Sequence, residues 1–67
     1  MNAGITLDNW KFSIFERHLK QAGYSFEKTE GLPYDTMLLM VTTDNVIALG
    51  EVVKAANTEA AQTGAPQ

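Results

Sequence analysis

No cysteine occurs anywhere in the chain. That absence removes disulfides, thiolate zinc sites, iron–sulfur clusters and a cysteine nucleophile at once, and it leaves the redox compartment unreadable. Histidine occurs once, as His18, so any imidazole base or imidazole metal ligand has to be that residue. Glu-x-x-His and His-x-x-x-His spacings are missing, and Glu16 and His18, two positions apart on a helix, point about 200° away from each other. Neither a metal nor a cofactor is expected. The five glycines, Gly4, Gly23, Gly31, Gly50 and Gly64, are too scattered to build a phosphate-cradling loop.

Long apolar stretches are lacking as well. The longest, Met37 to Val41, has five residues, against the roughly 20 that span a bilayer, so no membrane segment is expected. Met1 to Leu7 has neither the basic start nor the apolar core of a secretory signal, which makes a soluble cytoplasmic protein the expectation. Nor is there an excess of positive charge: five Lys or Arg stand against eight Asp or Glu, for a net charge of −3. Clustered bases drive phosphate binding, so nucleic acid is not expected as a partner. An acidic mimic of nucleic acid is a poor fit too, because the acids are interspersed with bases.

What the chain does have is 67 residues that are 45% hydrophobic. A domain of that size buries only about 60% of its unfolded surface and often needs a metal, disulfides or association to be stable. With the first two unsupported, self-association gains weight.

The pattern predicts a first helix over Leu7 to Ala22, with Thr6 or Asp8 capping its start and Gly23 stopping it. Its apolar residues fall in two adjacent stripes. Phe12, Phe15, Leu19 and Ala22 form one, and Leu7, Trp10 and Ile14 the other, a wider arc than one buried face requires. Tyr24 to Thr29 alternates aromatic with polar and reads as a half-buried strand with Tyr24 and Phe26 inward. Glu30 to Asp35, punctuated by Gly31 and Pro33, reads as a loop. Thr36 to Thr42 reads as a strand apolar on both faces, Leu38 and Met40 on one, Met37, Leu39 and Val41 on the other. A second helix follows from Asp44 or Asn45 to Asn57, fraying on as far as Gln62, with Val46, Leu49, Val52, Val53, Ala56 and Ala60 on its apolar stripe and Ile47 off it. Gly50 inside it signals either close approach of a neighbour or a tolerated defect.

These elements give an α+β fold, a single helix-strand-strand-helix (αββα) domain over 1–57 built on an antiparallel hairpin, with 58–67 as a frayed helix end and flexible tail. Two helices on one face of a hairpin leave its other face bare. The chain must therefore put a helix on each face or be covered by a second copy, through paired edge strands or stacked sheets. The homodimer is the expectation, with Met37, Leu39 and Val41 at its interface.

Catalysis has little to work with. Ser13 or Ser25 with His18 and Asp8, Asp35 or Asp44 is a formal triad without a nucleophile elbow. Glu27, Glu30 and Asp35 lack the oxygen density of a calcium loop. The surplus lies in apolar groups: Trp10 and Ile14, flanked by Arg17 and His18, and the loop residues Leu32 and Tyr34 beside Pro33. Aromatic and Arg side chains together are the usual composition of a binding hot spot. The sequence thus points to a non-catalytic module that binds and modulates a larger protein partner, acting as a homodimer. The alternative is a small-molecule-sensing regulatory domain with its ligand at the dimer seam, between Gly31–Asp35 and a helix end.

Overall fold

The computed structural model describes residues 1–63. Its element order is β1 (Asn2–Asp8), a short turn Asn9–Lys11, α1 (Phe12–Gln21), β2 (Ser25–Leu32), a second turn Pro33–Asp35, β3 (Thr36–Thr42) and α2 (Val46–Gln62). The sheet has three strands in the order β1-β3-β2, and β3 is antiparallel to both neighbours. β1 and β2 are therefore parallel to each other. Parallel strands need a long crossover, and α1 supplies it, leaving β3 to insert between them as in a split β-α-β unit.

The α+β class and the antiparallel hairpin of β2 and β3 are as expected; the order is not. The N-terminal strand was missed, and αββα is corrected to βαββα. Ala3, Ile5 and Leu7 alternate with Asn2, Gly4, Thr6 and Asp8, which is the period of a strand. Leu7 pairs opposite Met37 in the ladder and so cannot begin the helix. α1 starts at Phe12 instead, after the Asn9–Lys11 turn.

The other boundaries have clear causes. Gly23 takes φ 84°, and its amide and that of Tyr24 donate to Lys20 and Leu19 carbonyls at 3.1 and 2.9 Å, a Schellman closure of α1. Tyr24 thus belongs to the helix cap rather than to the strand. β2 runs on through the expected loop as far as Leu32 by means of a bulge: Thr29 pairs with Leu38 and Leu32 with Thr36, and Gly31 at φ 81° absorbs the extra residue. Asn45 caps α2 by accepting from the Ala48 amide at 3.1 Å, and the Thr43 hydroxyl accepts from the Asn45 amide at 3.0 Å. Helix α2 reaches Gln62, the outer limit expected for its end, with Ala60 buried; the rest of the expected tail, 64–67, lies outside the described residues.

Both helices pack on one face of the sheet. Phe15 and Leu19 of α1 and Leu49 and Ala56 of α2 join Leu7, Met37, Leu39 and Val41 in one cluster, with Ile5, Phe12, Ile14, Tyr24, Phe26, Val52 and Val53 packed at its margin. Met37, Leu39 and Val41 were expected at a dimer interface. They are instead the floor of the protomer's own core, Leu39 and Val41 with no exposed surface at all. The reason is alternation: on a central strand the helices need one set of side chains, and this is the set they cover. The opposite set, Leu38 and Met40, is only half-buried. It lies on the open face of the sheet beside Thr6 and Thr29, and Gly4 leaves a notch there, a β-carbon at that position falling 3.4 Å from both Leu38 Cδ1 and Met40 Sδ.

Leu39→Ala should cost about 2–5 kcal/mol, the range for a buried leucine, and Leu38→Ala much less; urea melts of the two variants check the assignment of faces. The Gly50 ambiguity resolves toward a tolerated defect, because a β-carbon there would meet nothing within 4 Å. Gly50→Ala should accordingly stabilise the protein by about 0.5–1 kcal/mol, read as a raised denaturation midpoint.

Candidate functional site

The two short turns meet at one end of the sheet. β1 ends opposite the start of β3, at the pair Asp8 and Thr36, and β2 ends opposite the same residue, at Leu32 and Thr36. The side-chain amide of Asn9 donates to Asp35 Oδ1 at 2.7 Å, tying the turn that carries Trp10 to the turn that carries Tyr34. Thr36 Oγ1 donates to the Pro33 carbonyl at 2.7 Å and closes the second turn. Sequence reading singled out Trp10, Tyr34 and Asp35 but not Asn9, and the bond from Asn9 to Asp35 spans 26 positions and has no local signal.

Tyr34 stands out. It is 96% exposed, and it sits at φ 63°, ψ 28°, followed by Asp35 at φ 59°. Two consecutive non-glycine residues in the left-handed region are uncommon, and each costs about 1–2 kcal/mol. Pro33 before them and the Asn9 and Thr36 hydrogen bonds around them hold the turn. The outcome is a tyrosine held out in solvent on a turn tied by two hydrogen bonds. Leu32 beneath it is half-buried, and Trp10 is half-buried with Lys11 Nζ 5.5 Å from its ring centroid.

The remaining candidates belong elsewhere. Ile14 packs against the core margin. Arg17 and His18 face the other helix, where Glu59 receives both: Arg17 is bonded to its Oε2, and His18 Nε2 lies 2.9 Å from its Oε1. Glu59, in the expected fraying end of the second helix, was missed because its partners lie 42 and 41 positions away. The structure therefore splits the six partner-binding candidates, placing Trp10, Leu32 and Tyr34 at the two-turn end and Ile14, Arg17 and His18 on α1 against the core and α2. Beside the Glu59 cluster runs an open groove of about 410 Å³ lined by His18, Glu51, Lys54, Ala55, Thr58, Glu59 and Gln62. None of these comes from Gly31–Asp35, where the ligand of a sensing domain was expected.

Other large apolar side chains stand exposed at the far end of the sheet: Met1, Val46 and Ile47, at 73%, 51% and 80%. The Met1 carbonyl accepts from the Thr43 amide at 2.8 Å, which sets the start of β1 beside the lead-in to α2. Val46 was expected on the buried stripe and lies at its outer end instead. Among the described residues no group of three or more His, Asp or Glu could hold a metal ion, and no helix is long and apolar enough to cross a membrane. Comparison with protein-family models, with curated proteins and with solved structures finds no match.

Replacing Tyr34 with glycine removes the left-handed penalty and sacrifices no packing. Tyr34→Gly should raise unfolding free energy by about 1 kcal/mol. A lower denaturant midpoint would show instead that the ring is packed.

Proposed function

We propose that this chain is a cytoplasmic, non-catalytic protein-binding module that works as a homodimer and modulates a larger partner through the end of the sheet bearing Tyr34, Leu32 and Trp10. The observation that carries the reading is Tyr34 itself. A bulky side chain in a costly backbone conformation, almost wholly in solvent, contributes nothing to the fold that glycine would not do better. Such strain concentrates where a surface is used. Tyrosine and tryptophan are also the residues that anchor interfaces, since each offers a large apolar area and a polar tip. The sole histidine is engaged with Glu59, which supports a structural use of the one imidazole over a catalytic one. For the homodimer, the support is the open sheet face with Leu38 and Met40 and the exposed Met1, Val46 and Ile47.

The alternative, a small-molecule sensor, has the groove beside Glu59 as its support. It differs in what it predicts. A pull-down from the source cell with the wild-type chain, Trp10→Ala and Tyr34→Ala should show a specific band that Tyr34→Ala loses and Trp10→Ala weakens at least tenfold, a loss of about 1.4 kcal/mol. A band indifferent to both substitutions, or a melting temperature raised by a metabolite mixture and by no macromolecule, would favour the sensor.

A further inference from the structure

We propose that two copies of this chain join through β1, antiparallel about a two-fold axis at Ile5, and so double the three-stranded sheet. This rests on the homodimer proposed above and says where its seam runs. The starting point is which backbone groups are unpaired. Met1 accepts from the Thr43 amide, and β1 continues in unbroken register with β3, Asn2 opposite Thr42 and Ala3 opposite Val41. Bonded and non-bonded pairs alternate along an antiparallel ladder. Since Met1 and Thr43 are a bonded pair, so are Ala3, Ile5 and Leu7 with their partners. Asn2, Gly4, Thr6 and Asp8 therefore aim their N–H and C=O groups at the outer edge, and all of them are exposed.

The two edges of the sheet are treated differently by the sequence. On β2, Lys28 and Glu30 stand along the edge and a bulge at Gly31 breaks the run, the devices that stop a further strand from adding. β1 has no lysine, arginine, glutamate, proline or bulge, and Asp8 at its end is its one charged residue. An edge of this kind is a template for another strand.

β1 is also complementary to itself. The register that uses every outward residue on both copies sets Asn2 against Asp8 and Gly4 against Thr6, in both directions, with Ile5 facing Ile5 at the axis. Sliding by two positions either way leaves outward groups unpaired. In the full register each Asp8 carboxylate faces the Asn2 side-chain amide of the other copy, a donor, and the two Asp8 residues lie at opposite ends of the seam. Position 1 falls opposite position 9, which carries the 73% exposed Met1 to the Asn9–Lys11 turn that holds Trp10. The apolar start of one copy thus meets the aromatic turn of the other.

The test uses the full chain and its freedom from cysteine. Across the axis Ile5 forms a non-bonded pair, with α-carbons about 4.5 Å apart, inside the roughly 4.4–6.8 Å that a disulfide spans. Under mild oxidation Ile5→Cys should cross-link into a covalent dimer, and Thr29→Cys, on the β2 side, should not. In sedimentation equilibrium the wild type should be a dimer. Thr6→Pro should be a monomer with unchanged circular dichroism, since the Thr6 amide faces outward and proline there removes no bond to β3. A dimer that cross-links through Thr29→Cys and not through Ile5→Cys overturns the seam and leaves the homodimer standing. A wild-type chain that stays monomeric at every concentration overturns both, and leaves the edge to a strand from a different protein.

Discussion

The fold depends on β3 being saturated. Placed between β1 and β2, it has a ladder partner on each side, and Met37, Leu39 and Val41 lie under both helices with almost no exposed surface. Burying a side chain of that size contributes about 1.5–3 kcal/mol, a large share of the 5–15 kcal/mol that a domain has in total. No other strand could take that position. β1 contributes only Leu7 to the fully buried set, and β2 contributes nothing. The strand that carries the core is thus also the last to be made, and β1 and β2 are held by it rather than by each other. Each of them reaches β3 only across a long separation in sequence or through a bulged hairpin.

How much of this was legible follows from what kind of signal each element leaves. β3 and α2 were readable because their periodicities are strong and uninterrupted, and the end of α1 because Gly23 is a sharp stop. β1 was not, although Ala3, Ile5 and Leu7 alternate cleanly. Its inward residues are small or few, Gly4 interrupts it, and Leu7 also fits the helical stripe of Trp10 and Ile14. A local pattern that satisfied two periods was settled by a contact with Met37 thirty positions away. The same blindness misassigned the two faces of β3. Alternation tells which residues go together, and only the placement of the helices tells which set is inside.

The candidate site shows the complementary limit. Composition singled out Trp10 and Tyr34 as surplus aromatics, and the structure brings their turns together through the bond between Asn9 and Asp35. Arg17 and His18 were singled out on the same grounds and turn out to face Glu59 across the helix pair. That cluster is half-exposed, and pairs of this kind contribute about 0–1 kcal/mol. It links α1 to α2 across their exposed seam and adds little to stability. A charged residue in a weakly patterned helix end has nothing in its neighbourhood to announce such a partner.

The two ends of the sheet differ in what they expose, and its two edges differ in how they are closed. A small domain with one covered face and one open face has more exposed apolar surface than it can spare, so the places where that surface is left matter. Here it is concentrated at the ends: Tyr34 on its strained turn at one, and Met1, Val46 and Ile47 at the other. The β2 edge between them is closed by charge and by a bulge, while the β1 edge is left plain. Pairing along the plain edge reverses the direction of the second copy. Each apolar start of β1 is then set beside an aromatic turn, and the two Tyr34 tips point away from each other. An assembly built in that way covers Met1 and displays Tyr34 twice; under the proposed function, a partner with two sites would gain from effective concentration without any new contact.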